Sequence, residues 1–186
     1  TSNIVWTRTP DLTPGIKLEK WDRRSGWPKG DRDDSKDALD GAKDGTTIVF
    51  TIKNTSKDDS GHGAWFKASD LKLEDHTIVG DGTVTDLKYP EGWDSLILKP
   101  GQSVEVTGTL TGFTKDRHTD RAKVTGTPLV ECPVVDKDPF GDASGKPSTG
   151  GEAGDGPRQV TVGDRTLCED CLLYTSPSPR DISGSR

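Results

Sequence analysis

Gly45-Thr46-Thr47-Ile48-Val49-Phe50-Thr51-Ile52-Lys53-Asn54-Thr55 alternates between two faces. Ile48, Phe50 and Ile52 point one way; Thr47, Val49, Thr51 and Lys53 point the other. Period-two alternation in a β-branched and aromatic run predicts a strand, closed by Asn54-Thr55-Ser56. Its apolar face needs a cover. No segment of the chain shows a helical period, so that cover is another β layer.

Working outward, the same alternation recurs. In Ile16 to Trp21, Ile16, Leu18 and the aliphatic stem of Lys20 share a face. Ser69 to Val79 places Leu71, Leu73 and Asp75 on one side and Lys72, Glu74 and His76 on the other. A bulge then turns Ile78 inward. Gly80-Asp81-Gly82 predicts a hairpin-class turn into Val84 to Leu87. Pro100-Gly101 matches the centre of a type II turn. It leads into Ser103 to Leu110, where Val104, Val106, Gly108 and Leu110 share a face. His118 to Thr127 returns the chain with Ala122 and Val124 inward, and Pro128 to Val130 ends the domain. The sum is about seven short antiparallel strands joined by Gly, Pro and Asp turns, an all-β sandwich.

Composition sets the extent. Only 28 % of the 186 residues are hydrophobic, with 12 Pro, 22 Gly and no Met. That suits a core of roughly 110 to 130 residues with disordered flanks. Residues 1–14 read as an edge strand or linker, 15–131 as the sandwich, and 132–170 as a Gly/Pro/Asp-rich linker. Gln159 to Val162 could start a strand but has no partner left in the sequence. A net charge of −6 offers nothing to a phosphate backbone, so nucleic acid is not a partner. No run is long and apolar enough to span a membrane, and no signal peptide is visible, so no direct membrane contact is expected. The start at Thr1 without an initiator Met reads as a fragment. Cys132, Cys168 and Cys171 are odd in number and do not indicate a disulfide scaffold.

The motifs WDRRSGWPKGDRDD, TIVFTIKNTS, LKLEDHTIVGDG, LKPGQSVEVTGTLTG and HTDRAKVTGTPL follow one another over about residues 15 to 131. In that order they resemble the repeated Ig-like modules of secreted or cell-wall-anchored proteins of Gram-positive, actinobacterial-type bacteria. The resemblance implies an Ig-like β-sandwich, located extracellularly at the cell surface or wall. It implies a non-catalytic spacer or stalk supporting adhesion, with neighbouring repeats of the same parent chain as partners. Separately, LLYTSPSPRD, Leu172 to Asp181, resembles translated sequencing-adapter DNA. Residues 171–186 therefore read as a non-native tail.

Two sets of residues are candidates for a site. The first is the acidic loop Asp22 to Gly45. Asp31, Asp33, Ser35 and Asp37 place oxygens at alternate positions, as a calcium ion requires. Lys36 and Ala42 stand where an EF-hand has Gly and Glu, and no helices flank the loop, so an EF-hand is excluded. A Ca²⁺ site at a sandwich edge would draw on Asp22, Asp31, Asp33 and Asp37, with Asp120 or Asp116 brought near by the fold. The competing reading is a solvated loop whose acids are neutralised by Arg23, Arg24, Lys29, Arg32 and Lys36. The second set is Trp27, Trp65 and Trp93, beside Tyr89. Exposed and coplanar, these rings would contact a glycan or a host protein; buried, they cap the ends of a thin core. His62, His76 and His118 lack zinc spacing, and His118-Thr119-Asp120 orders a strand start by local hydrogen bonds. Cys168-Glu169-Asp170-Cys171 has thioredoxin-like spacing without the strand and helix that would present it. No nucleophile elbow or phosphate loop is present, so the chain is not expected to be an enzyme.

Overall fold

The computed structural model describes residues 14–33, 35–39, 41–57, 63–114, 117–131, 159–163, 165–169 and 174–177. His62, Asp116, Cys132, Cys171 and residues 1–13 lie outside them. The strands are β1 (Ile16–Asp22), β2 (Thr47–Asn54), β3 (Trp65–Lys67), β4 (Lys72–Val79), β5 (Thr83–Lys88) and β6 (Ile97–Leu98). They continue with β7 (Ser103–Thr111), β8 (Thr119–Gly126), β9 (Pro128–Glu131), β10 (Gln159–Val162), β11 (Arg165–Glu169) and β12 (Tyr174–Pro177). Single 3-10 turns are the only helical elements among the described residues. No helix there is long and apolar enough to cross a membrane.

The fold is all-β and sandwich-like, and every pairing is antiparallel. One layer has the order β1-β2-β7-β5. Facing it are two sheets, the five short strands β10-β11-β9-β3-β6 and the three strands β12-β8-β4. The core between them is built by the alternation read above: Ile16 and Leu18 from β1, Phe50 and Ile52 from β2, Val104 and Val106 from β7. Phe66, Leu71, Leu98, Ala122 and Val124 meet them from the other side. The outward Val49 is buried too, paired with Trp21, whose indole N–H donates to Thr51 Oγ1 at 2.9 Å.

Asn54, fully buried at the end of β2, organises one end of the sandwich. Its Nδ2 donates to the carbonyls of Ala64 (2.8 Å) and Leu98 (2.9 Å), and its Oδ1 accepts from Ser56 N (2.9 Å). The Pro100-Gly101 turn docks here through Gly101 N to Asn54 O at 2.8 Å. Gln102 N closes that turn on Lys99 O at 3.0 Å, with Gly101 at φ +82, as a type II turn requires.

Several expectations change. Gly80 to Gly82 is not a hairpin: β4 pairs with β8 and β5 with β7, so this turn carries the chain between layers. The bulge lies between Thr77 and Val79, but Ile78 is 52 % exposed. Val160 does have a partner, since β10 and β11 form a hairpin that extends β9 and buries Leu167 and Cys168. Local alternation could not show this, because the pairing reaches across residues 132–158. Cys168 is disulfide-bonded, which the odd number of cysteines did not indicate. Tyr174–Pro177, within the adapter-like stretch, lies beside β8.

Candidate functional site

The polar centre of the molecule is Lys20. Strand alternation turns it inward with Ile16 and Leu18, and the whole side chain is buried, at 1 % exposure. Opposite it on β2 is Phe50, whose ring centroid lies 5.3 Å from the ammonium. From the other layer, Lys20 Nζ meets Asp75 Oδ1 at 2.6 Å and also contacts Asp120 Oδ2. Asp75 on β4 and Asp120 on β8 have side chains 5 % and 4 % exposed. They come together because β4 and β8 pair with Asp75 opposite Ala122 and Thr77 opposite Asp120. The two acids are thus diagonal neighbours on the inward face.

His118, just before β8, completes the cluster. Its Nδ1 is 2.8 Å from the Asp81 carbonyl oxygen and its Nε2 is 3.0 Å from Asp120 Oδ2. A carbonyl only accepts, so Nδ1 carries a hydrogen. The contact to Asp120 then shares a single proton between Nε2 and Oδ2. The hydrogen bond to Asp120 raises the His118 pKa above 6.5, against desolvation and the charge of Lys20. The Asp81 carbonyl is aimed by Gly80, at φ +83, where an added Cβ would strike the Arg117 carbonyl.

Lys20 is therefore an amine buried against two buried carboxyl groups. That arrangement supports an ion cluster. It also supports condensation of the amine with a carboxyl group, because the reacting groups are held in contact. The inward phases of Lys20 and Asp75 were legible from alternation, and Asp120 is in phase with Ala122 and Val124. What no local pattern shows is that three separate strands bring them to one point.

The acidic loop is built differently. Asp120 is committed to Lys20 and His118 and does not join it, which corrects the expected ligand set. Asp22, 3 % exposed, accepts Ser25 N–H at 2.8 Å and Arg32 Nε at 3.4 Å. Arg32 also donates to Ser25 Oγ (2.8 Å) and the Asp37 carbonyl (3.0 Å). Asp31 bridges to Trp21, and Asp33 and Asp37 are exposed. Among the described residues no three metal-ligating side chains converge. The residues fit calcium poorly, because Arg32 already holds Asp22 and the Asp37 carbonyl. We expect calcium and chelator to leave the melting temperature unchanged. Arg32→Ala should lower stability by about 2 kcal/mol, since it strips a buried carboxylate of its cation. Thermal melts of both proteins with and without calcium check this.

The tryptophans do not form one platform. Trp93 packs on the core and lies 4.7 Å from Tyr89 with the rings tilted at 45°. Trp65 is half-buried beneath Lys99 and Arg165, at 5.1 and 5.7 Å. Trp27 is 54 % exposed. It sits in the loop whose Ser25, Pro28, Lys29, Asp31, Arg32 and Asp37 line an open cleft.

Comparison with known proteins finds no matching family model, no matching curated protein and no matching solved structure.

Proposed function

We propose that this chain is a non-catalytic spacer or stalk module of a bacterial cell-surface protein, supporting adhesion, whose layers are joined by an amide bond between Lys20 and Asp120. The observation that carries this reading is the Lys20 ammonium buried between carboxylates of the opposite layer. Three desolvated ions are an expensive way to fill a core, and apolar residues of similar volume commonly do as well or better. Condensation removes two of the charges. Lys20 Nζ bonds to Asp120 Cγ, the Cγ–Oδ2 bond breaks, and the oxygen leaves as water. Of the three ammonium protons, one stays on the amide nitrogen and two are given up, so the net change is the release of one water. No co-reactant is needed. Asp75 Oδ1, at 2.6 Å, is placed to take the proton that frees the amine for attack.

Such a bond suits a load-bearing spacer. Lys20 lies on β1 and Asp120 on β8, so tension entering near one strand leaves through the bond to the other. A disulfide at Cys168 is consistent with an extracellular, oxidising location. The resemblance to wall-anchored Ig-like modules adds neighbouring repeats of the parent chain as its partners. Force spectroscopy on a tandem array tests the reading. The segment between Lys20 and Asp120 should never extend in the wild type and should extend fully in Lys20→Met. Equal extension of both would refute it.

The exposure of Trp27 beside a polar cleft favours one further reading, a carbohydrate- or protein-binding module. It has less support, because Trp65 and Trp93 are engaged elsewhere.

A further inference from the structure

We infer that His118 is the acid that protonates the departing Asp120 oxygen in this condensation. The inference rests on the Lys20–Asp120 reading and goes on to assign the proton donor. A carboxylate oxygen does not leave as oxide, so Oδ2 must be protonated before the Cγ–O bond breaks. Lys20 Nζ and His118 Nε2 both contact that oxygen, the latter at 3.0 Å. Lys20 is the nucleophile and must lose protons rather than supply them to its own target. His118 remains.

The geometry suits it. The Asp81 carbonyl holds Nδ1 as a donor, so the imidazolium has one transferable proton facing Oδ2. The ring is braced by Phe113, edge-on with centroids 6.0 Å apart. Proton and charge balance close within the cluster. Imidazolium, ammonium and two carboxylates sum to zero. His118 gives its proton to Oδ2, and Asp75 takes one from Lys20. After attack, the nitrogen's second proton completes the water, and the proton on Asp75 returns to the imidazole or stays. The product is an amide, one water, and a His118–Asp75 pair that is together neutral.

Among the described residues, the charged and titratable groups that face His118 include Asp120 from β8, Lys20 from β1 and Asp81 from the β4–β5 turn, with Asp75 of β4 in contact with Lys20. Asp120 dominates and raises the His118 pKa above 6.5, so the imidazolium is the resting form at and below that pH. Reaction is then fastest there and slows as pH rises through the raised value, about tenfold per unit.

The test uses the full chain, recovered unfolded in denaturant before it has ever folded. It is diluted into buffers of stepped pH, and intact mass is followed with time. Wild type should lose one water with that pH profile. His118→Gln keeps hydrogen-bonding capacity but cannot supply a proton. It should react about a hundredfold more slowly, with a flat profile, and reach the same final mass. Circular dichroism confirms that it has folded. Equal rates for the two proteins, or a wild-type rate that rises with pH above 6.5, would overturn the role of His118 while leaving the bond intact. No loss of water by wild type at any pH would overturn the bond and the role together.

Discussion

Lys20→Met should lower stability by about 8 kcal/mol, roughly 30 °C in melting temperature, and should leave the chain without the loss of water. Two terms combine. Methionine matches the shape of the lysine stem but can neither pair with nor bond to Asp120, so Asp75 and Asp120 stay buried side by side as two carboxyl groups without the lysine cation. Removing one partner from a buried ionic cluster costs about 3–5 kcal/mol. The second term is the lost cross-link. By the chain-entropy argument used for disulfides, closing a loop as long as Lys20 to Asp120 restricts the unfolded chain by about 4–5 kcal/mol. Whole domains are stable by only about 5–15 kcal/mol, so the variant stands near the limit of folding. Asp120→Asn gives a gentler check. Its carboxamide can still be attacked by Lys20, with ammonia leaving in place of water, so its final mass should equal that of the cross-linked wild type. Calorimetry and intact mass on the three proteins read both quantities.

Asn54→Ala should cost about 3 kcal/mol, near 10 °C. The side chain is fully buried and makes three hydrogen bonds, two given to the Ala64 and Leu98 carbonyls and one accepted from Ser56 N–H. Alanine leaves all three backbone groups without that partner, each at a cost of about 1 kcal/mol or more. The loss should be greatest where the Pro100-Gly101 turn meets β2. Hydrogen exchange should therefore show Gly101 N–H, bonded to Asn54 O, losing protection before the centre of β7. A melting temperature within a degree or two of the wild type would contradict this account of Asn54.

How much of this was readable in the sequence follows from the range of each interaction. The β2 and β7 faces were, because their alternation is local and one face is buried: Phe50, Ile52, Val104 and Val106 are all in the core. The type II turn at Pro100-Gly101 was, because its chemistry lies in two adjacent residues. The turn at Gly80 to Gly82 was misread because glycine reports a backbone angle and not the partner of the next strand. The β10–β11 hairpin was missed because its stabilising edge, β9, is far away in sequence. The cluster itself was half legible. Alternation aimed Lys20 and Asp75 inward, but a charged residue at an inward position was discounted as an aliphatic stem. Taken at face value, a lysine and aspartates on inward faces of a small core had to meet, because none could be buried alone. The calcium reading grouped Asp120 with the loop acids, whereas the fold sets it against Lys20 and His118, because counting carboxylates ignores which cations the fold brings to them.

Intact mass of the folded full-length chain, followed by peptide mapping, is the most direct test of the central claim. The account predicts a mass lower than that calculated from the sequence by one water beyond the loss of two hydrogens at the disulfide. It also predicts one branched peptide joining Lys20 to Asp120, absent from Lys20→Met. A chain of unaltered mass apart from the disulfide, yielding separate linear peptides for Lys20 and Asp120, would contradict it.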